Sequence, residues 1–262
     1  MEGDLRSYNV VCDAVKGVDY IFHQGALPSV PRSVKDPITT NDVNILGTLN
    51  VLEAAKRFGI RRVVYASSSS VYGNSEVLPK TEDMPVNPVS PYALSKYTGE
   101  RYCQIYYQLY GLETVILRYF NVFGPNQDPE SQYSAVIPQF IKKIIQGKQI
   151  RIYGDGNQSR DFTYVENVVH ANLLAAESTN VAGEIFNVGL QQQYSLNQLV
   201  ETLFSLMGQR AEVIYEQSRP GDVKHSCAGI YKIRNRLNFE PLVFFEEGLS
   251  RTIASFFSNC DK

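Results

Sequence analysis

A tyrosine and a lysine four residues apart, preceded by a run of serines, could carry chemistry in this sequence. Tyr92 and Lys96 lie in Ser-Pro-Tyr-Ala-Leu-Ser-Lys at 90–96, and the serines lie in Ser-Ser-Ser-Ser-Val-Tyr-Gly at 67–73. A phenol ionises at about pH 10 in water, but a nearby lysine cation favours the phenolate and lowers that pKa toward the range of a useful general base. A serine hydroxyl close by can relay the proton. The combination therefore predicts a proton-transfer site.

The elements around these residues must bring them together. Residues 62–66 have the length and β-branched content of a buried parallel strand, so the serines fall at its carboxyl end, where open α/β sheets bind ligands. Pro91 suits the first turn of a helix and Ser90 its N-cap. Tyr92 and Lys96 then project from one face of that helix.

On these motifs the chain resembles the extended short-chain dehydrogenase/reductase family, and within it the nucleotide-sugar 4-epimerases, over essentially its whole length. The resemblance implies an α/β fold, with a Rossmann-like parallel sheet and a smaller α+β substrate-binding domain. It implies that Tyr92 is the general base and that Lys96 holds the nicotinamide ribose of NAD and lowers the pKa of Tyr92. It also implies a homodimer that pairs through the helix at 91–110, with ordinary core packing of that helix's aromatic residues as the alternative.

Ser68 is the expected catalytic hydroxyl. It lies four residues before Tyr72 of the Val-Tyr-Gly that sets the family's register. Ser67 and Ser69 are the alternatives, and Ser69 and Ser70 are expected to contact the substrate.

The amino terminus departs from the family's pattern. Gly-Asp-Leu at 3–5 matches the segment that follows the family's third strand, and it is preceded in relatives by a glycine-rich strand, turn and helix. No such glycine motif occurs before Asp4, nor later after a strand and at the start of a helix. Since the absent unit would pair with the strand at 18–22, we expect that strand to be an uncovered edge and the chain to be poorly stable or to aggregate.

The resemblance implies a set of residues that bind NAD. His23 lies on the strand that precedes the loop at 25–30. It could be catalytic, but a single histidine on a buried strand is more often a packed residue. The Asn-x-x-Gly-Thr at 44–48 belongs to a helix predicted over 41–59, with Val43, Leu46, Leu49, Leu52 and Ala55 along one side. It resembles the family's helix in which the Asn side chain anchors backbone near the active site. The expected cofactor-binding residues are Asp4, Leu5, Gly25, Ala26, Leu27, Asn44, Tyr92, Lys96 and Tyr119.

The resemblance also implies that the second half carries the residues that bind a uridine diphosphate. Arginine forks suit diphosphate oxygens, and a tyrosine can pack on the uracil. The expected strand at 114–122 ends with Asn121 at the carboxyl edge of the sheet. The substrate-binding set is Ser69, Ser70, Asn121, Ala135, Val136, Ile137, Pro138, Tyr153, Arg160, Arg219, Asp222 and Ser226.

Ser226 is the residue expected to set specificity. In epimerases restricted to UDP-glucose and UDP-galactose, this place tends to hold a bulky tyrosine, whereas a small residue leaves room for an N-acetyl group. The segment at 219–226 resembles the branch that tolerates N-acetyl sugars. The alternative is that Ser226 is small for packing reasons alone.

Composition excludes several classes of function. The 262 residues carry a net charge of −2 and no run of basic residues, which argues against nucleic-acid binding. The four cysteines lack metal-ligand spacing, so no metal site is expected and reduced thiols in a cytoplasmic protein are the expectation. No apolar run approaches the length that spans a bilayer.

These observations predict two domains and one reaction. Residues 1–122 would form an NAD-binding Rossmann-like domain without its first βαβ unit, and 123–262 a nucleotide-sugar-binding domain, with 184–189 returning to the main sheet. The expected reaction is 4-epimerisation of UDP-N-acetylglucosamine through a 4-ketose. A UDP-glucuronate 4-epimerase, a decarboxylase and a 4,6-dehydratase are the rivals, although Ser69-Ser70 stands where a dehydratase needs an Asp-Glu pair. A catalytically inactive, truncated nucleotide-sugar-binding protein is the alternative of another class.

Overall fold

A four-stranded parallel sheet lies at the centre of the protein. The structure is a computed structural model that describes residues 1–128, 135–218 and 224–258. The strands follow the order β1-β2-β3-β8, and every neighbouring pair is parallel. They are β1 (Tyr20–His23), β2 (Arg62–Ser68), β3 (Glu113–Tyr119) and β8 (Ile185–Val188). This sheet confirms the predicted α/β class with a Rossmann-like parallel arrangement.

Helices connect the strands and cover the sheet. The helices are α1 (Tyr8–Val15), α2 (Val30–Lys35), α3 (Pro37–Asn41), α4 (Gly47–Phe58), α5 (Pro91–Tyr110), α6 (Val136–Ile145), α7 (Val165–Glu177), α8 (Leu196–Met207), α9 (Tyr231–Leu237) and α10 (Phe245–Ser258). The short strands are β4 (Val122–Phe123), β5 (Ile150–Tyr153), β6 (Ser159–Arg160), β7 (Thr163–Tyr164), β9 (Tyr194–Ser195) and β10 (Val213–Glu216). They form three pairs, of which β4 with β7 and β5 with β10 are parallel and β6 with β9 is antiparallel.

Alternating residues of the strands bury opposite faces of the sheet. Val63 and Tyr65 pack with α1, α4 and α5, whereas Val64 packs with α7 and α9 on the other side. The pleat of a strand sends successive side chains to opposite faces, so β2 is apolar on both. Helices therefore flank both sides of the sheet.

The helix α5 begins where its sequence predicts. The Ser90 hydroxyl accepts a hydrogen bond from the Ala93 N–H at 3.1 Å, and Pro91 occupies the first turn. Gly111 ends the helix in the left-handed conformation, with φ of 71°. The helix thus runs along the sheet with its first turn beside the carboxyl end of β2.

The helix predicted over 41–59 has a different boundary and a different buried face. It follows α3 through a π-helical turn at Asp42–Leu46, and α4 then begins at Gly47. A π turn adds a residue to the turn and rotates the helix face that follows. Leu46 is consequently 43% exposed, and the predicted stripe is wrong at this residue. Asn44 and Gly47 are buried instead.

The strand predicted over 114–122 is shorter than expected. β3 ends at Tyr119, and Asn121 takes a left-handed φ of 32° before β4 begins. The Asn121 carbonyl accepts the Thr163 N–H at 3.2 Å, which joins the turn to β7. Asn tolerates this conformation better than most residues, so the chain can leave the sheet here.

The described part of the chain contains three apolar cores. One face of the main sheet packs with α7 and α9, and the other face packs with α1, α4 and α5. The third core contains Phe123, residues of α6, α8 and α10, and the strand β5. Residues 165–177 and 231–239 thus pack on the main sheet, in addition to β8. The division at residue 122 remains a prediction.

The strand β1 is an edge of the main sheet within the described residues. Val18 and Phe22 are 40% and 41% exposed. In the part of the chain that the structure describes, no helix combines the length and the apolar character needed to cross a membrane.

Candidate active site

Helix α5 meets the carboxyl end of β2 through the predicted catalytic residues. The Lys96 ammonium donates to the Ala66 carbonyl at 2.8 Å. The Tyr92 phenol lies close enough to the Ser68 hydroxyl for that hydroxyl to stabilise the phenolate. Tyr92 and Ser68 are half-buried and Lys96 is buried, so the structure brings the three predicted residues to one place.

Burial governs the pKa values of this group. Desolvation raises the pKa of Tyr92, and the nearby Ser68 hydroxyl opposes that shift. Desolvation lowers the pKa of Lys96 to about 8. The pKa of Tyr92 is thus raised, whereas we expected Lys96 to lower it. The reason is that removing the phenol from water penalises the phenolate, while the ammonium is directed at a backbone carbonyl.

The three candidate serines have different surroundings. Ser67 is buried and donates to Glu100 at 2.5 Å, so its hydroxyl is engaged away from Tyr92. Ser68 accepts from the Ser70 N–H at 3.2 Å and from its hydroxyl at 3.0 Å. Ser69 begins the 3-10 turn Ser69–Tyr72. The contact with Tyr92 therefore favours Ser68.

His23 is a packed residue in the structure. Its Nε2 lies 2.9 Å from the Thr48 hydroxyl, which donates to the Asn44 carbonyl at 2.6 Å. The Thr48 oxygen must then accept, so the assigned tautomer carries the proton on Nε2. Burial lowers the pKa of His23 to about 3, with a smaller contribution from the Lys96 charge. His23 is thus neutral at physiological pH.

Asn44 anchors the loop after β1, as the resemblance implied. Its side chain accepts the Leu27 N–H at 2.7 Å and donates to the Leu27 carbonyl at 3.1 Å. It also donates to the Ser95 hydroxyl at 3.0 Å, one residue before Lys96. One amide therefore ties the predicted cofactor loop to helix α5.

A second group of predicted cofactor residues surrounds the start of the chain. A cavity of about 400 Å³ is lined by Asp4, Leu5 and Gly25, and by β1. The Leu5 side chain fills the space beside Gly25 and Gly47, where an added Cβ would lie 2.8 Å and 2.9 Å from its atoms. A side chain at either position would collide with Leu5, so the packing of Leu5 requires glycine at both. The bond from Arg6 lowers the pKa of Asp4 to about 2, which keeps a carboxylate at the rim.

Tyr119 belongs to a polar cluster at the end of β3. Its hydroxyl lies 3.1 Å from Asn172 Oδ1, and the Gln24 amide donates to that hydroxyl at 3.1 Å. Burial raises the pKa of Tyr119, so the phenol is neutral. The cluster joins α7 to the loop after β1.

The donor set at Lys96 suits a ribose. Within the described residues its ammonium has one hydrogen-bond acceptor, the Ala66 carbonyl, and an ammonium has three donors. Two donors are thus available to vicinal hydroxyls beside Tyr92. The residues present fit the nicotinamide ribose of NAD.

The predicted substrate-binding residues gather around a separate cavity of about 580 Å³. Its walls come from the end of β3, the first turn of α6, and β5 and β6. Six predicted residues line it: Asn121, Ala135, Val136, Ile137, Tyr153 and Arg160. Arg160 donates to the Ser159 and Lys224 carbonyls at 2.9 Å and 3.2 Å, which fixes one edge of its guanidinium.

Other predicted substrate residues are placed differently. Pro138 is buried within α6, where it packs rather than lines the cavity. Ser226 is 8% exposed, and its N–H donates to the Ser159 carbonyl at 3.1 Å. It lies next to the cavity wall, not among the lining residues. Arg219 and Asp222 lie outside the described residues.

Sequence reasoning missed several lining residues. Ser29 and Pro31 reach the same cavity from the loop after β1, and Ser29 has an unusual φ of 89°. Gln158 donates to the Tyr153 carbonyl at 2.6 Å and precedes Ser159. Gln158 lies two residues before the predicted Arg160, and this spacing could have indicated from the sequence that Gln158 lines the same cavity.

Asp161 holds the cavity wall together. Its buried carboxylate accepts the Leu190, Gln191 and Ala228 N–H groups at 2.9–3.0 Å. Desolvation raises its pKa to about 6 in spite of these bonds. The segment carrying Arg160 is thus fixed to the end of β8.

Comparison with known proteins gives a family match. The model of the NAD dependent epimerase/dehydratase family matches residues 1–189. A putative UDP-glucose 4-epimerase from Methanocaldococcus jannaschii is 42% identical over 239 residues, which cover 91% of this chain and 77% of the relative. A UDP-glucuronate 4-epimerase from Thermodesulfobacterium geofontis is 39% identical, over 90% of this chain and 72% of the relative.

A solved structure agrees with the fold. The UDP-N-acetylglucosamine 4-epimerase from Methanobrevibacter ruminantium M1, in complex with UDP-N-acetylmuramic acid, has a TM-score of 0.94 and 42% sequence identity. The alignment covers 99% of this chain and 83% of that one. The sugars named for these relatives differ from one another.

Proposed function

This chain belongs to the NAD dependent epimerase/dehydratase family, and on that premise we propose that it interconverts UDP-N-acetylglucosamine and UDP-N-acetylgalactosamine by epimerisation at C4. The membership makes it an enzyme of nucleotide-sugar chemistry that uses NAD. The C4 reaction and the N-acetyl sugar are the finer parts of the proposal.

One observation carries the proposal. A phenol beside a serine hydroxyl and a buried ammonium lies at the same carboxyl edge of the sheet as a cavity large enough for a nucleotide. Ser68 ends β2 and Asn121 follows β3, and these strands are neighbours. A ligand anchored in the cavity can therefore extend its sugar toward Tyr92.

Tyr92 and Ser68 handle the proton of the substrate. Bound NAD supplies a site that reversibly accepts the hydride of C4. Tyr92, as phenolate, takes the proton of the C4 hydroxyl as the C4–H bond breaks and the C4–O bond becomes a carbonyl. Ser68 donates to that oxygen and keeps it in place. After the ketose has turned, Tyr92 returns the proton to the oxygen when the opposite face of C4 is reduced.

Lys96 keeps the phenol usable in this scheme. The raised pKa of Tyr92 means that the phenol needs a positive charge nearby to ionise at neutral pH. Lys96 has spare donors for the ribose hydroxyls, and Asp4, Leu5 and the loop at 25–27 would hold the rest of NAD. The sugar must turn in the site so that both faces of C4 can be reduced. The contacts that hold the substrate must therefore be made with the nucleotide.

The uridine diphosphate would be held in the cavity of about 580 Å³. Tyr153 would pack on the uracil, and the backbone of Ala135 and Val136 would meet its edge. Arg160 would pair with the diphosphate, since guanidinium forks match its oxygens. Asn121 would donate to a phosphate oxygen from the turn between β3 and β4.

The N-acetyl sugar is proposed from the small residue at 226. Ser226 follows His225, whose Nδ1 lies 2.8 Å from the hydroxyl of Ser159, the residue between the lining residues Gln158 and Arg160. A small side chain here leaves room that a tyrosine would occupy. UDP-glucose and UDP-glucuronate are the alternatives that the relatives' names indicate.

We also infer a homodimer that forms through α5. The last turns of this helix expose Tyr107, Leu109 and Tyr110, which are 40%, 69% and 52% accessible. Exposed apolar residues on one helix are typical of a protein interface. A second copy of the helix would cover them.

A substrate panel tests the proposed function. Purified chain is incubated with NAD and with UDP-N-acetylglucosamine, UDP-glucose or UDP-glucuronate, and the C4 epimers are separated by chromatography. Denaturing release measures the bound NAD. Formation of UDP-N-acetylgalactosamine at the highest kcat/KM supports the proposal. Conversion of only the other two sugars corrects the substrate, loss of carbon dioxide from UDP-glucuronate indicates a decarboxylase, and no conversion with full NAD content contradicts the proposed function.

A further inference from the structure

A buried ion pair lies directly behind the catalytic residues. Arg118 and Glu100 are 2% and 0% exposed, and they form two parallel bonds: Nε to Oε1 at 2.8 Å and Nη2 to Oε2 at 2.7 Å. Glu100 Oε1 also accepts the Ser67 hydroxyl at 2.5 Å. The Arg118 guanidinium lies 4.8 Å from the centre of the Tyr72 ring. None of these groups has a part in the chemistry proposed above.

The pair joins every element that carries the catalytic groups. Tyr92, Lys96 and Glu100 are spaced by four residues on α5, so they share a helix face within about 80°. They face three consecutive residues of β2: Lys96 donates to the Ala66 carbonyl, Glu100 accepts from the Ser67 hydroxyl, and Tyr92 lies beside Ser68.

The same pair reaches the neighbouring strand and the following turn. Arg118 lies on β3 opposite Ser67, and Tyr72 lies in the 3-10 turn that follows Ser68. The Tyr72 hydroxyl donates to Asn187 on β8 at 2.7 Å, so the contacts continue across the sheet. The carboxyl ends of three strands are thereby connected to α5.

Stability alone does not explain the pair. Moving two charges from water into the interior is costly, and apolar residues of the same volume are often as stable or more so. An ion pair does what apolar residues cannot, because its bidentate geometry fixes both the distance and the angle between two elements. Glu100 is one helical turn from Lys96 and two from Tyr92, so its position determines theirs.

We propose that Glu100 and Arg118 are positioning residues, whose buried pair holds α5 against β2 and β3 and so places the Tyr92 phenol on Ser68. The inference rests on the proposed function for its kinetic consequence. Its geometric consequence, the environment of Tyr92, is independent of the substrate.

The test replaces the pair by apolar residues of similar size. Ser67→Ala/Glu100→Met/Arg118→Met removes both charges and also the hydroxyl that would lose its acceptor. The variant is expected to melt cooperatively, because no buried charge is left unpaired. The control is Glu113→Gln, which removes the charge of the ion pair between the opposite ends of the same two strands, at 2.6 Å, and leaves Arg62 bonded to the carbonyls at the end of α7.

The readout is the titration of Tyr92, followed by carbon NMR of labelled tyrosine and assigned by its loss in Tyr92→Phe. The triple variant is expected to move the pKa of Tyr92 down toward the ordinary value of 10.0, because a loosened α5 admits water. The control is expected to leave it unchanged. The other titratable groups around the site, Lys96, His23 and Tyr65, are present in every variant, so they do not cause a difference between the titrations.

Kinetics provides the second arm. The triple variant is expected to lose at least about tenfold in kcat while its affinity for UDP is kept, a loss that corresponds to about 1.4 kcal/mol. A folded triple variant with an unchanged Tyr92 titration and unchanged kcat overturns the proposal. If the unmodified chain converts no sugar, the proposed function fails, and the NMR comparison still decides the role of the pair.

Discussion

Asn44 closes a ring of two hydrogen bonds with the backbone of Leu27, accepting its N–H at 2.7 Å and donating to its carbonyl at 3.1 Å. A β-strand partner would satisfy the same two groups, so the amide replaces a strand where the chain leaves β1. The loop that it holds carries predicted cofactor residues and leads to Ser29, which lines the cavity of about 580 Å³. One side chain therefore connects the two halves of the site.

Replacement of Asn44 is expected to destabilise the protein. Asn44→Ala leaves the N–H and carbonyl of Leu27 without partners in a half-buried loop, which costs about 1–3 kcal/mol. Urea unfolding measures the change. Asn41→Ala, at an exposed position on the preceding helix, is the matched control and should shift the free energy of unfolding by less than about 0.5 kcal/mol. Equal effects of the two substitutions would show that the ring is not the cause.

Tyr92→Phe is expected to lower turnover by orders of magnitude, because the proton of the C4 hydroxyl loses its acceptor. UDP affinity, measured by calorimetry, should stay within about twofold, since Tyr92 is not among the residues that line the nucleotide cavity. Tyr107→Phe on the exposed side of the same helix is the control. A Tyr92→Phe enzyme with undiminished kcat removes Tyr92 from the mechanism.

His23 is expected to make the protein sensitive to acid. Its pKa is about 3 in the folded state and 6.5 in a model peptide, so between these pH values the unfolded chain binds a proton that the folded chain does not. Its contribution to stability is therefore complete above pH 6.5 and is lost as the pH falls toward 3. The loss is up to about 1.4 kcal/mol per pH unit.

His23→Gln tests this linkage. Glutamine keeps an N–H donor for Thr48 and removes the titration, so the free energy of unfolding should fall less steeply below pH 6.5 than in the unmodified protein. His170→Gln, at a histidine outside the site, is the comparison. Identical pH profiles for His23→Gln and the unmodified protein would refute the assignment.

Ser226→Tyr is expected to suppress N-acetylated substrates first. The added ring would occupy the room next to Ser159 and crowd the C2 substituent of the sugar. The ratio of kcat/KM for UDP-N-acetylglucosamine to that for UDP-glucose is the measurement. Ser226→Ala is the control for loss of the hydroxyl, and a thermal melt checks folding because the site is 8% exposed. Equal losses for both sugars would mean that residue 226 does not control specificity.

The edge that β1 forms within the described residues is expected to favour self-association. Phe22 is 41% exposed on an edge strand, and unpaired strand edges with apolar side chains are sites of association. Phe22→Lys should reduce high-mass species in light scattering, because an edge charge opposes pairing. Leu206→Lys, at a residue 40% exposed on α8, is the control. A cooperative, high-temperature melt of unmodified monomer would contradict the expectation.

Local chemistry determined much of this protein from sequence alone. The strand before the serines, the Ser90 cap with Pro91 and the shared face of Tyr92 and Lys96 follow from short-range rules, and the structure confirms them. The anchoring role of Asn44 followed from the family resemblance.

Tertiary structure decided what depends on packing between distant segments. The π-helical turn exposed Leu46, because the added residue rotated the helix face that followed. The pairing of Glu100 with Arg118 depends on how α5 lies across β2 and β3, which no spacing in the sequence reveals. The raised pKa of Tyr92 has the same origin, since desolvation depends on every neighbour that excludes water, whereas the sequence shows only the lysine one turn away.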